Sequence, residues 1–335
     1  MRRLAARSLR TSGRDVHVVL DPIRLGVSVP QAAVMLAAER PAVIFTTGGY
    51  VAIPVLMAAA PLGIPVVMWD GNVIPGRSVR ATARLATALA VSFEATCTAL
   101  HDAAPKVPCY LTGTPIRDTR EVDREAARAR LDVPAGERVL LVFGGSQAVR
   151  RFNAAVAGAI GRLVERVTVI HVTGDEAYAA ALADREALPA ERRARYRPFP
   201  FLRDDMLAAL ATADLVVGRA GSSTLAEVAA LGVPMVVVPY PHAAGHQRAN
   251  ARVLVDAGAA RLIDDEAFDA DALVAAADLL APEGDAARAQ MAEAARDLGR
   301  PGAADAVAAL VMAAADRRPF PTADEIERIS RGSLA

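Results

Sequence analysis

Cysteine is scarce in this chain. Among 335 residues only Cys97 and Cys109 occur, which is too few for a disulfide framework, and their surroundings carry no metal-site spacing. Such usage fits a reducing cytoplasm. Net charge is also lacking: 38 basic and 38 acidic residues cancel. That balance argues against a general polyanion binder, nucleic acid included, and leaves room only for local basic patches. The first ten residues, Met-Arg-Arg-Leu-Ala-Ala-Arg-Ser-Leu-Arg, are followed by no apolar run, so they do not read as a signal peptide. A Gly-x-Ser-x-Gly elbow and a Walker loop are both missing, which disfavours hydrolase and ATPase chemistry.

One uncharged stretch, Val51 to Trp69, is long enough to cross a bilayer. Pro54, Pro61, Gly63 and Pro65 interrupt it, so a helix followed by a strand at about 66–69 explains it better. With 53% hydrophobic and 23% charged residues the chain is expected to bury a sizeable core. Short apolar runs alternate with helical patterns from about residue 30 to 315, the signature of parallel sheets with helices on both faces. Composition changes after Arg117, which places a domain boundary near 114–118. Domains are expected over 1–116 and 117–316, followed by a polar tail, 317–335. The echo between Leu62-Gly-Ile-Pro-Val-Val-Met-Trp and Leu231-Gly-Val-Pro-Met-Val-Val-Val supports two similar doubly wound domains in tandem.

The most informative stretch is 214–247. A buried strand, Leu215 to Val217, runs into Arg219-Ala-Gly-Ser-Ser-Thr224, and a helix follows until Gly232-Val-Pro. Free N–H groups and the positive dipole end at such a helix start attract phosphate. Glu227 lies one turn in, where an acid can accept hydrogen bonds from a sugar diol. Thr224-x-x-Glu227 also fits a capping box, in which the acid only satisfies a backbone N–H, and Arg219 also fits an ordinary surface cation. A second Gly-rich loop, Gly144-Gly145-Ser146-Gln147, follows a strand at 139–143. Gly145 permits close approach of a phosphate and Ser146 adds a donor. Two such loops in one domain suit a single diphosphate. His242, His246 and Gln247 lack a third metal ligand at credible spacing, and His246 and Gln247 suit hydrogen bonding to sugar hydroxyls better. The basic residues of 1–15 read either as a solvated terminus or as an attraction to anionic membrane.

Gly144-Gly-Ser-Gln, Arg219-Ala-Gly-Ser-Ser-Thr-Leu-Ala-Glu and His242-Ala-Ala-Gly-His-Gln-Arg-Ala-Asn-Ala resemble the MurG family of N-acetylglucosamine transferases. Thr47-Gly-Gly-Tyr, Leu62-Gly-Ile-Pro-Val-Val and Gly113-Thr-Pro-Ile-Arg match in order and spacing. The resemblance implies a GT-B architecture, two Rossmann-like domains facing a cleft, with UDP-N-acetylglucosamine (UDP-GlcNAc) as donor and no cofactor or metal. By motif, Glu227 would accept the ribose hydroxyls, and Ser146, Ser222, Ser223 and Thr224 would hold the diphosphate or groups near it. The backbone at Leu202 and Arg203 would face uracil. His246 and Gln247 would contact the sugar, Arg117 would reach the donor, and Asn72 would lie on the acceptor side.

The implied reaction is attack by the C4 hydroxyl of lipid I, a muramyl pentapeptide on undecaprenyl diphosphate, with inversion and loss of UDP, on the cytoplasmic face of the membrane. A UDP-sugar-binding protein without transfer, or a transferase for another glycolipid or natural product, are the alternatives. Three departures stand out. The family's first strand and its Gly-rich loop ending in His have no counterpart here, so the first domain is expected to be incomplete and the general base is unassigned. Trp69-Asp-Gly-Asn72 stands where His-Glu-Gln-Asn is usual, and Thr114 replaces Asn before Pro-Ile-Arg. UDP binding with little sugar transfer is the expectation that follows.

Overall fold

The computed structural model describes residues 17–145, 149–243 and 245–332. The basic residues of 1–15, together with Ser146 and Gln147, lie outside this set. The chain divides into two compact units, Met1–Pro115 with Gly302–Ala335, and Ile116–Pro301.

In the first unit β1 (Ile44–Thr46), β2 (Val66–Asp70), β3 (Ala88–Val91) and β4 (Cys109–Leu111) form a parallel sheet in the order of the sequence. Its strands are short apolar runs because both faces are covered. Alternate side chains divide between two cores. Val66, Met68 and Leu89 pack with Leu56 and Ala59 of the helix Ala52–Ala59 and with Val79 and Leu100. Val67, Ala88 and Ala90 point the other way, onto Ala306, Val307, Leu310 and Ile326. The uncharged stretch at 51–69 is therefore a helix and a strand, as its prolines require.

The second core corrects the expected domain limits. The helix Ala303–Ala315 returns to the first sheet, whereas the sequence pattern assigns it to the second domain. The expected polar tail also contains a helix, Ala323–Ser330, which buries Ile326 in the same core. Helical periodicity shows that these segments have an apolar face but not which sheet receives it.

The cysteines require a second correction. Cys97, on the helix Glu94–His101, is bonded to Cys109 at the start of β4, with Cα atoms 5.8 Å apart. That helix crosses from β3 to β4, so residues twelve apart in sequence become neighbours. The cysteine content then no longer argues for a reducing compartment.

In the second unit β5 (Val139–Phe143), β6 (Thr168–Val172), β7 (Tyr196–Phe199), β8 (Leu215–Gly218), β9 (Met235–Val237) and β10 (Ala260–Leu262) are all parallel, in the order β10-β9-β8-β5-β6-β7. Every residue of β5 is buried. Leu140 and Val142 face Phe152, Val156 and Ile160 of the helix Val149–Leu163. Val139, Leu141 and Phe143 face Leu225 and Val228 of the helix Ser222–Leu231. The chain winds outward from β5 to β7, then crosses back to β8 and winds outward the other way. In such a doubly wound sheet, ligands bind outside the carboxyl ends of the strands where the winding reverses, here between β5 and β8.

Candidate functional site

Phe143 and Gly218 are register partners on β5 and β8. The loops that leave them, Gly144-Gly145 and Arg219-Ala220-Gly221, therefore start side by side at the switch point. This brings together the two loops that the sequence singled out separately. Gly145 has φ +68°, a conformation suited to glycine, and the space where a Cβ would stand is open. The helix Ser222–Leu231 starts at Gly221, whose backbone is extended and whose position supplies no side-chain cap. Its first-turn N–H groups have no partner within the helix, and its start adjoins the Gly144-Gly145 segment that leaves β5, an arrangement able to hold an anion. Ser222 and Thr224 are half-buried in this turn and Ser223 is exposed. The helix ends at Gly232 in the left-handed region (φ +65°), as the Gly-Val-Pro sequence requires.

Glu227 is not a capping residue. The N-cap is Gly221, so Thr224 is the third helical residue and Glu227 the sixth. The carboxylate is nearly buried, and burial pushes its pKa up while the Arg117 guanidinium opposes the shift. Arg117 Nη2 lies 3.5 Å from Glu227 Oε1, and its Nη1 donates to the carbonyl of Arg203 at 3.1 Å. Arg203 has φ +36°, unusual for a residue with a side chain, and Leu202 beside it is buried. Arg117 thus brings together two groups 86 and 110 positions further along the chain: a turned backbone carbonyl and a buried acid, with its own half-exposed guanidinium between them.

Arg219 is buried, unlike an ordinary surface cation. It pairs with Asp265 and donates from Nη1 to the Val238 carbonyl at 3.1 Å. Tyr240, Asp265, Asn153, Thr173 and Phe201 line a cavity of about 820 Å³ with it, at the carboxyl ends of the strands. Gln247 sits in the first turn of the helix His246–Asp256, and its Oε1 accepts the Tyr240 N–H at 2.9 Å. The carbonyl of this amide is therefore engaged in the loop, and its NH₂ is the group left to offer a ligand. His246 begins the same helix after Gly245, at φ +80°. His242 is exposed, with its ring edge-on to Tyr240 at 5.4 Å.

Asn72 belongs to the first unit and follows β2. Its N–H donates to Asp70 Oδ1 at 2.9 Å, its Nδ2 to the same atom at 3.3 Å, and its carbonyl accepts from Thr96 Oγ1 at 2.8 Å. Asp70 Oδ2 also accepts the Gly76 N–H at 3.2 Å. Asp70 is 5% exposed and folds the 71–76 loop around itself, a role that sequence reasoning missed. Tyr240 and Asp265 were missed as well. The one signal available for the two acids is an acidic residue just beyond an apolar run, at the end of a strand.

The family model for the glycosyltransferase family 28 C-terminal domain matches residues 139–307, and that for the N-terminal domain matches residues 2–91. The UDP-N-acetylglucosamine–N-acetylmuramyl-(pentapeptide) pyrophosphoryl-undecaprenol N-acetylglucosamine transferase of Salinibacter ruber is 37% identical, over 94% of this chain and 87% of its own length. The protein of the same name from Chlorobaculum parvum is 37% identical over 92% of this chain and 81% of its own. Among solved structures, Acinetobacter baumannii MurG superposes with a TM-score of 0.67 at 26% identity, covering 87% of this chain and 80% of that one. The UDP complex of a UDP-glucose:anthocyanidin 3-O-glucosyltransferase, 14% identical with a TM-score of 0.61, shares the fold. The two parallel-sheet domains are those of a GT-B glycosyltransferase, and the chain belongs to the MurG family of N-acetylglucosamine transferases.

Proposed function

We propose that this chain transfers N-acetylglucosamine from UDP-GlcNAc to the C4 hydroxyl of lipid I, forming lipid II for peptidoglycan synthesis. The names of its relatives supply the reaction. The observation that carries the donor site is the buried Glu227 carboxylate beside Arg117, one turn beyond a helix start that adjoins a second glycine loop at the switch point. A carboxylate there accepts both ribose hydroxyls. The N–H groups of 222–224 and the backbone at Gly145, with Ser146, receive the diphosphate, whose charge grows as UDP departs. The backbone at Leu202 and Arg203 takes the uracil edge, and Arg117 ties that turn to the ribose acid. His246 and the Gln247 NH₂ address the sugar. Asn72, on the loop held by Asp70, belongs to the acceptor side.

No cofactor enters this scheme. The protein orients the two substrates so that the C4 oxygen attacks the anomeric carbon opposite the diphosphate, and configuration inverts. An undecaprenyl-linked acceptor places the enzyme at the cytoplasmic face of the membrane as a peripheral protein. The test is UDP release with lipid I in detergent or vesicles, beside a panel of other glycolipids. Release that depends on lipid I, with a disaccharide lipid product, is the expected result. UDP binding with no transfer to any acceptor would overturn it, and transfer to another glycolipid alone would redirect it.

A further inference from the structure

The surroundings of Arg219 assign it a task other than touching the donor. Its side chain is 8% exposed. The guanidinium lies between two rings, 4.8 Å from the centroid of Phe152 and 5.3 Å from that of Tyr240. Asp265 accepts from it and also pairs with Arg151 Nε at 3.1 Å. Its Nη1 holds the Val238 carbonyl, just past the end of β9. Four segments meet on this one side chain: the loop after β8, the helix that follows the Gly144-Gly145 loop, the run that leaves β9, and the Asp265 segment after β10. Its Nη1 is already engaged by the Asp265 carboxylate and the Val238 carbonyl, so that nitrogen offers an arriving diphosphate less than the nearby N–H groups do.

The segment 240–243 and the helix start at His246 and Gln247 hang from the same point. Tyr240 presents its ring to Arg219 and its N–H to Gln247 Oε1. Ala243 N–H then donates to the Tyr240 carbonyl at 3.3 Å, and His246 N–H to the Ala243 carbonyl at 3.0 Å. Displacing the Tyr240 ring therefore displaces the residues that address the sugar. Glu227 and the backbone at Gly145 do not depend on that ring.

We propose that Arg219, held by Asp265, is a positioning residue that fixes the segment 240–243 and the sugar-contacting residues His246 and Gln247 through Tyr240, and so sets preference for the sugar-bearing nucleotide over bare UDP. This rests on the transferase reading above. Lysine keeps the charge at 219 but has neither the planar fork nor a flat face to stack.

The experiment is calorimetric titration of the wild type, Arg219→Lys, Tyr240→Ala and Tyr240→Phe with UDP and with UDP-GlcNAc, each beside a thermal melt. In Arg219→Lys and Tyr240→Ala, affinity for UDP-GlcNAc should fall about tenfold or more, while UDP affinity stays within about threefold. Tyr240→Phe, which keeps the ring and the backbone N–H, should match the wild type. Equal losses for both ligands in Arg219→Lys, with the melt unchanged, would overturn the proposal in favour of a direct phosphate contact. If Arg219→Lys fails to fold, the two Tyr240 variants decide, and an unchanged ratio of the two affinities in Tyr240→Ala overturns it. A wild-type protein that binds neither ligand would instead remove the transferase reading.

Discussion

Thr224-Leu-Ala-Glu227 and Thr322-Ala-Asp-Glu325 share a spacing and share nothing else. At the second, Thr322 is the N-cap of the helix Ala323–Ser330. Its hydroxyl accepts the Glu325 N–H at 3.2 Å, and Glu325 Oε2 accepts the Thr322 N–H at 2.7 Å. That backbone hydrogen bond, with the Thr322 hydroxyl behind it, holds the Glu325 pKa below its usual value. At the first, the helix has already begun at Gly221, and the acid is carried round to a buried position where desolvation raises its pKa. Spacing does not decide between a cap and a ligand group. The residue at which the helix starts does, and at Gly221 that is set by a loop leaving a central strand beside another loop.

The comparison breaks most visibly at Glu227. Glu227→Ala removes charge-assisted hydrogen bonds worth roughly 1.5–3 kcal/mol. UDP affinity in calorimetric titration should fall about tenfold or more, with the melting temperature nearly kept. Unchanged affinity would return Glu227 to the structural class of Glu325. A smaller effect belongs to the neighbouring loop. Gly145→Val meets no neighbour but must adopt a backbone that side chains disfavour, at a cost of about 1–2 kcal/mol. UDP should weaken several-fold more than uridine, because uridine lacks the phosphates; equal weakening would mean that the loop shapes the domain and cradles nothing.

On the other side of the comparison, Thr322→Ala should lower stability by about 1 kcal/mol and leave UDP affinity alone. A change in UDP binding there would count against a purely capping role. The mildest test is pH. In the proposed role the Glu227 carboxylate must be ionised to accept the ribose hydroxyls, and the pKa of this group is raised above 4.5. Uridine affinity should therefore drop about twofold at the pH where half the Glu227 is protonated, and that pH lies above 4.5. For stability the signs oppose. Glu325, with its lowered pKa, contributes stability that is present above 4.5 and lost as pH falls through the folded value. Glu227, with its raised pKa, favours the folded state below its shifted value and loses that contribution as pH rises through it. Glu227→Gln should flatten the uridine profile; a profile unchanged by that substitution would assign the pH effect to another group.

Much of the second unit was legible in the sequence. Apolar runs of three and five residues gave β8 and β5, and the two glycine loops marked the switch point between them. Arg117 and Arg203 came from motif resemblance and Glu227 first from its place in the helix, and the three do meet in space. What stayed hidden depends on contacts between distant residues. Asp265 looks like any loop acid until β10 brings it beside Arg219. His171 lies in an apolar strand, and only the fold shows Nδ1 at 2.9 Å from Tyr196 Oη and Nε2 at 3.0 Å from Asn153 Oδ1. Asn153 Nδ2 donates to the Thr173 carbonyl, so its oxygen faces the imidazole. Nε2 must then carry the hydrogen and Nδ1 accept from the tyrosine. Burial pushes the pKa of this ring down to about 3, which keeps it neutral.

The return of the helix Ala303–Ala315 to the first sheet bears on how the protein is made. The chain passes between the units twice, at 115–116 and again at 301–302. The ribosome therefore releases every residue of the second unit before it releases the helices that cover one face of the first sheet. The second unit, emerging as one uninterrupted segment, can finish folding during synthesis. The first begins earlier and finishes last, with Val67, Ala88 and Ala90 uncovered in the interval. For this protein, order of synthesis and order of completion run in opposite directions.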